Sequence, residues 1–486
     1  METLTIHEKI TQDRKDALPK DRDWRDVNRY RLYYRGRQKG TLNAEQLKLL
    51  QSLVGNKFSH NICKRIVSEK ANRMEIARFD VDDPAVMDFL FDTWVKNQWP
   101  DLFASLAVVA LRDGNVFVGL NWIPDGSDPY GGRVSLKLER VWDGKEGVFF
   151  HYLHDGSVEY AVKEWYEGKQ LYRNVYFDDR FYRYKSVAGA WKSYNLQSDP
   201  LPTGRQGTGY VPWTKKDGTG IGIPFVHFPN GNDDESFYGA SELDGGVMGF
   251  QDRINAVHHD LISMSMLSGT PRTWSKGFEL EKSKETGRPI QPRVGPGAHW
   301  HSHSVDAEWG VLEGGNPTSL IDVLWVEVKS VCQMSDVPFH AISGDWPSGE
   351  ALYRAEMPAV MDGEKRAKQW GPRGSSVMHQ ATEIENTFGN VDLDESKLIT
   401  TVFESVERRD QLTRASVAEK IAPHVSKREV LRLLNYPPDR VEQIIEEMDQ
   451  EADEAVERAQ QRFAAGAYDG YVPPVSRSDA DDDPDE

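Results

Sequence analysis

Seven apolar residues, Leu243, Val247, Phe250, Ile254, Val257, Leu261 and Met264, recur at alternating intervals of four and three. That spacing keeps one stripe on one side of an α-helix, as in a helix–helix seam. Ser241 with Asp244 offers a capping-box start and Gly269 with Pro271 a stop, so the pattern predicts a helix over 241–268, about 40 Å long. An apolar stripe of that length needs cover along its whole extent. A helix in the core of an ordinary domain carries the same stripe, so the spacing alone leaves both readings open.

The neighbouring sequence narrows the choice of architecture. Asn316 as cap and Pro317 in the first turn predict a second helix over 317–338, in NPTSLIDVLWVEVKSVCQMSDVP. The 269–316 segment between the two has no helical periodicity and reads as a small β-like insertion. After SGDWPSG a third helix is expected in EALYRAEMPAVMDGEKRAKQW, kinked by Pro358 and Gly363 and resuming beyond GPRG. Earlier in the chain, NAEQLKLLQSLV and SHNICKRIVSEKANRM are helical patterns. DPAVMDFLFDTWVKNQWPDLFASLAVVALRDG reads as two helices broken near Pro100 and stopped at Asp113-Gly114. From Asn115 to about Tyr194, alternating runs such as NVFVGLNW and SVEYAVKEWYEG, separated by DG, GG and EG turns, predict a meander or open β-sheet. Residues 198–222 are a Gly/Pro-rich connector, and no internal repeat is found.

Composition excludes several classes. At 486 residues with 38% hydrophobic content, the chain has room for two or three domains' worth of core. Its longest apolar run, LFASLAVVAL, is about half the roughly 20 residues of a membrane span. The charged N-terminal stretch lacks the apolar segment of a secretory signal. Cys63 and Cys332 stand far apart without a CxxC partner, which points to free thiols in a reducing compartment. Net charge is −18, and from Arg440 onward four Arg face 15 Asp and Glu; residues 1–73 carry 17 Lys and Arg against 9 Asp and Glu. Such a chain is poorly suited to wrapping DNA but suits a surface that DNA slips past. The tail from Gly466, ending in SRSDADDDPDE, has too little apolar content to pack and is expected to be disordered.

No GxxxxGK[ST], HExxH or GxSxG signature is present, so neither nucleotide hydrolysis nor hydrolase chemistry has an anchor. The enzyme alternative is a Trp-rich acidic glycoside hydrolase, with 14 Trp as sugar platforms and Asp233, Asp234 and Glu235 as carboxylates. Adjacent carboxylates in a Gly/Asn-rich loop are more often a solvated turn, and no strand–helix alternation supports a (β/α)₈ barrel. His299, His301 and His303 share a face if their stretch is extended, and imidazole ligates metals. Zinc sites need a fourth ligand at a defined spacing, and none follows. A polar, pH-sensitive contact surface is the reading; no cofactor or metal is expected.

The chain resembles the portal, or head-to-tail connector, proteins of tailed bacteriophages, the long-tailed type in particular. IPFVHFPNG followed by YGASELDGGVMGFQDRINAVHHD, then SGDWPSGEALYRAE, carry the resemblance. SHNICKRIVSEKANRM and the run LTRASVAEKIAPHVSKREVLRLLNYPPDRVEQIIEEMDQE extend it from about residue 55 to 460. It implies an α+β fold with an α/β wing over 1–240, stem helices at 241–268 and 317–338, and a small α/β clip at 269–316. It further implies a tunnel loop over 339–349, a long kinked wing helix over 350–403 and a helical crown over 404–465. In such proteins about twelve copies close a ring through heterologous interfaces. The ring sits at one capsid vertex of the virion, is assembled in the host cytoplasm, and passes double-stranded DNA in and out. The implied partners are further copies of the chain, the terminase large subunit, a head-completion adaptor, and the major capsid protein with its scaffold; no membrane is involved. Ser343, Gly344, Asp345, Trp346, Pro347 and Ser348 would face DNA. Arg272, Lys276, Lys282, Lys284, Arg288 and Arg293, with the three histidines, would lie in the clip, where they contact phosphates or the adaptor or form a solvated face.

Overall fold

Residues 115–120, NVFVGL, are buried at every position, so this run lies between two apolar layers. Its period-two alternation divides the side chains. Val116, Val118 and Leu120 join one cluster and Phe117 a second. The computed structural model describes residues 5–38, 48, 60–196, 207–231, 236–268, 272–277, 287–288, 305–312, 316–348, 350–406, 418–433, 441, 444–445, 447–448 and 450. The chain divides into two compact units, Met1–Val406 and Glu407–Glu486.

In the larger unit, helices α1 (Ile6–Asp16), α2 (Asp26–Tyr34) and α3 (Ile62–Ala71) precede strand β1 (Ile76–Asp80). Helices α4 (Pro84–Lys96) and α5 (Trp99–Asp113) lead into β2 (Asn115–Pro124), β3 (Gly132–Arg140), β4 (Gly147–Tyr152) and β5 (Val158–Glu167). Strands β6 (Gln170–Tyr176), β7 (Arg180–Val187), β8 (Ala190–Ser193), β9 (Tyr210–Pro212) and β10 (Phe225–Pro229) follow. Then come α6 (Val247–Ser268), β11 (Arg272–Lys276), β12 (Glu308–Leu312) and α7 (Thr318–Met334). A short α8 (Phe339–Ser343), the 39-residue α9 (Glu350–Phe388) and β13 (Thr400–Phe403) complete the unit. In the smaller unit the described residues include α10 (Lys427–Leu433).

Sheet order is β10-β2-β3 in one layer and β4-β5-β6-β7-β8 in another, with β9 added to β7; β1 pairs with β13 and β11 with β12. Every pair of named strands is antiparallel. The fold is α+β, and the expected α/β wing is corrected in that respect. Short turns join most sheet neighbours directly, without the crossover helix that a parallel pair needs.

One apolar cluster joins α3, α5 and the β10-β2-β3 sheet to the middle of α9, through Ile66, Phe103, Leu106, Phe228, Trp370 and Ile384. Trp370 is fully buried, and its Nε1 donates to the Pro229 carbonyl at 2.8 Å. The second cluster packs Ile10 and Trp24, from α1 and the turn after it, onto Phe149, Tyr160 and Tyr238.

Four expected boundaries shift. The break between α4 and α5 falls at Gln98, whose φ is +49°, while Pro100 sits inside the first turn of α5, where a missing N–H costs nothing. α6 begins at Val247 rather than residue 241, because Gly245 and Gly246 have φ of +64° and +103°; the Ser241 hydroxyl instead donates to the Arg112 carbonyl at 2.5 Å. α7 stops at Met334 rather than residue 338, two residues before Asp336 at φ +52°. GPRG does not interrupt α9. Its Gly374 gives close passage to the chain at Thr401, where an added Cβ would lie 2.8 Å from Oγ1.

Candidate functional site

Helices α6 and α7 form an antiparallel pair. Near the base, a Cβ added at Gly246 would lie 3.8 Å from Met334 Sδ; seven residues further along each helix, Arg253 pairs with Glu327 at 3.1 Å. The far ends of the pair are joined through β11 and β12, whose register runs from Arg272↔Leu312 to Lys276↔Glu308. α6 spans about 33 Å for its 22 residues.

The base of this pair is fastened to the body. Gln251, buried, accepts the Ile62 and Cys63 N–H groups at 2.7 and 3.3 Å and so caps α3. Tyr33 of α2 donates to Asp252 at 2.7 Å. Burial then falls off along both helices. Leu243, Val247 and Ile254 are buried and Phe250 packs against them, whereas Val257, Leu261 and Met264 are only half-buried and lie outside that cluster. In α7, Val328, Val331 and Cys332 are buried near the base, but Ile321, Val323, Trp325 and Val326 are exposed, Val326 at 61%. The heptad stripe therefore does two jobs: its first half is core and its second half is half-open surface. A second exposed stripe, Tyr353, Met357 and Met361, runs at intervals of four on α9.

Phe339–Ser343 of the expected 339–349 loop is helical, which corrects its reading as loop throughout; Gly344, at φ +81°, ends that helix. Ser343 Oγ accepts the Asp345 N–H at 3.2 Å, so this hydroxyl turns inward on its own loop. His340 is buried and bonds Glu356 at 2.6 Å, Glu356 pairs with Arg73 at 2.6 Å, and Arg65 donates to the Ala341 carbonyl at 2.8 Å. Above this anchored base Trp346 is 66% exposed, with its ring 4.7 Å from that of His340. Asp345, Pro347 and Ser348 lie beside it, and Gly349 is outside the described residues.

On the β11–β12 hairpin, Lys276 is exposed and 3.4 Å from Glu308. Arg272 opens β11, and Arg288 is exposed. Lys282, Lys284, Arg293, His299, His301 and His303 fall outside the described residues, as do Asp233, Asp234 and Glu235 and the acidic tail. The hairpin also presents Trp274 and Trp309, 41% and 62% exposed, which the sequence reading had not singled out.

The reading also missed a polar clamp behind the pair. Lys70 bonds Glu242 at 2.6 Å and Asp362 at 3.1 Å, and Arg366 bonds the same two carboxylates at 2.6 Å each. These two cations and two anions tie α3, the approach to α6, and α9 together beside a cavity of about 580 Å³. Burial would raise the Glu242 pKa, but Arg366 and Lys70 outweigh it and hold the group down at about 2. No local spacing signals such a ring, because its members come from three separate parts of the sequence.

No protein-family model and no curated protein matches the chain. Among solved structures it is similar to the neck of an empty gene transfer agent particle computed with C6 symmetry, at 14% identity and a TM-score of 0.43 over 82% of this chain and 94% of that one. The neck of the native particle computed with C12 symmetry gives 13% and 0.43 over 82% and 95%. The virion of the native particle gives 12% and 0.39 over 85% and 99%.

Proposed function

We propose that this chain is a portal-type subunit of a tailed phage or phage-like particle, about twelve copies of which close a ring around a DNA channel. The observation that carries the reading is the antiparallel α6–α7 pair, buried at its base and apolar but uncovered along its far half. A lone subunit leaves that surface in water, and a neighbouring copy supplies the cover. The order of elements supports the same reading: helix, β hairpin, helix, an anchored loop with an exposed indole, then a long helix. In this reading α6 and α7 are the stem, the hairpin is the clip, and residues 344–348 face the channel. Asp345 keeps phosphates from lingering while Trp346 narrows the passage. The terminase motor and a head-completion adaptor dock on the ring, and the capsid protein with its scaffold surrounds it. The subunit itself carries out no catalysis.

Native mass tests this directly. A ring of about twelve 55.2 kDa chains weighs about 660 kDa and images as an annulus in negative stain. A glycoside hydrolase would run near 55.2 kDa, and a monomer at micromolar concentration would sink the ring reading.

A further inference from the structure

We propose that the cavity between α1, the turn leading into α2, and the β4–β8 sheet is a binding site for a phosphate group, a role separate from the ring. The cavity measures about 620 Å³, within the usual range of small-molecule sites. Its floor is a buried charge cluster that does not balance. Arg14 Nη1 lies 2.7 Å from Glu164 Oε1, and Arg173 reaches the same oxygen through Nε at 2.9 Å and Nη2 at 2.7 Å. Pairing of Glu164 with Arg173 across β5 and β6 fixes this arrangement in the sheet register. His7, 3.0 Å from Arg173 Nη1, supplies no negative charge. Two guanidinium groups on one carboxylate leave a net positive charge with little access to water, which is costly unless an anion answers it. The Lys70–Glu242–Arg366–Asp362 clamp, by contrast, is neutral.

The unused hydrogen-bonding groups agree with the charge. Arg14 is 5% exposed, and its Nε and Nη2 have no acceptor; neither does the Nε1 of Trp142, whose ring lies 4.0 Å from the Arg14 guanidinium carbon. All three are donors, and they belong to two residues, Arg14 and Trp142, that help to wall the cavity. An acceptor-only ligand with several oxygens is what such a wall takes. A small turn of the guanidinium on its indole stack would bring those donors to the ligand. Exposed Lys15, Arg25 and Lys145 line the same cavity, where the further acid Asp23 is engaged with Arg25 at 2.6 Å. A basic pocket on a chain of net charge −18 runs against the average field and favours a multiply charged anion over a single carboxylate. Occupancy would tie α1 to the sheet and raise the stability of the larger unit.

The full chain, exchanged into phosphate-free buffer, should bind inorganic phosphate saturably with one site per chain by calorimetry. Its unfolding temperature should rise with phosphate but not with sodium chloride at matched ionic strength. The rim variant Lys15→Glu/Lys145→Glu, whose changes are exposed, should keep its circular dichroism and lose about tenfold in affinity. A parallel titration with AMP distinguishes free phosphate from a phosphate ester as the source, and either preference upholds the site. No saturable binding of either probe, or a rim variant that binds as tightly as the parent, overturns the proposal.

Discussion

The body of the larger unit and its α6–α7 pair are built from similar apolar patterns with opposite outcomes. On β2 the apolar residues face partners on both sides, and Val116, Phe117 and Val118 are wholly inaccessible. On α7 the pattern is equally apolar, yet Trp325 and Val326 remain in water while Val331 and Cys332, one to two turns on, are buried. The difference is the distance from the anchors. Gln251, Tyr33 and the Glu242 clamp hold only the base, so among the described residues the outer half has no comparable anchor. An apolar run thus marks where cover is needed without saying who provides it.

The largest effect is expected in the body. Trp370→Ala removes a fully buried indole packed on Phe103 and Phe228 and should cost about 3–5 kcal/mol in a urea titration. A loss below about 1 kcal/mol would mean the body is looser than its packing indicates. Next comes Trp325→Ala/Val326→Asp on the outer half of α7. In the proposed ring it should shift the assembly from about 660 kDa to near 55.2 kDa, while the dilute chain keeps its unfolding free energy in urea to within about 0.5 kcal/mol. Intact rings in this variant would break the comparison, because α7 would then need no cover.

Two glutamates sharpen it through pH. Glu242 is held at about 2 in the fold against an ordinary 4.5, so its contribution is full above 4.5 and is lost as pH falls toward 2. Glu242→Gln should lower the unfolding temperature at neutral pH and flatten that acid limb. Glu385 is inaccessible to solvent, and burial is the main cause that pushes it up to about 7, against the backbone N–H groups of Val391 and Asn390, which pull it down. Its sign is opposite: the contribution is present below 4.5 and lost as pH rises through about 7. Glu385→Gln should leave the acid limb alone and flatten the decline near neutrality. A profile unchanged in both variants would place the pH dependence elsewhere.

The smallest effect on stability should come from Trp346→Ala, since the ring is 66% exposed. In the proposed portal role, ring mass and unfolding temperature should stay nearly unchanged, while DNA retention in a reconstituted capsid falls. A large loss of stability would instead make Trp346 a packing residue between subunits.

Periodicity by itself determined that Asn115–Pro124, Val158–Glu167 and Gln170–Tyr176 are strands, and that helices lie on either side of the 269–316 segment. Those signals are local, carried by alternation and heptad spacing within one stretch. It could not determine where α6 starts, because the positive φ of Gly245 and Gly246 depends on how Ser241 is held at the end of α5. Nor could it divide the seam into a buried half and an open one, since that follows from which residues of α2 and α3 reach across. The two charge clusters lay further still beyond reach: Lys70, Glu242 and Arg366, like Arg14 and Glu164, meet across more than a hundred residues of chain. Ion pairs at that separation leave no spacing to read; only the packing of α1, α3 and α9 around the sheets brings them together.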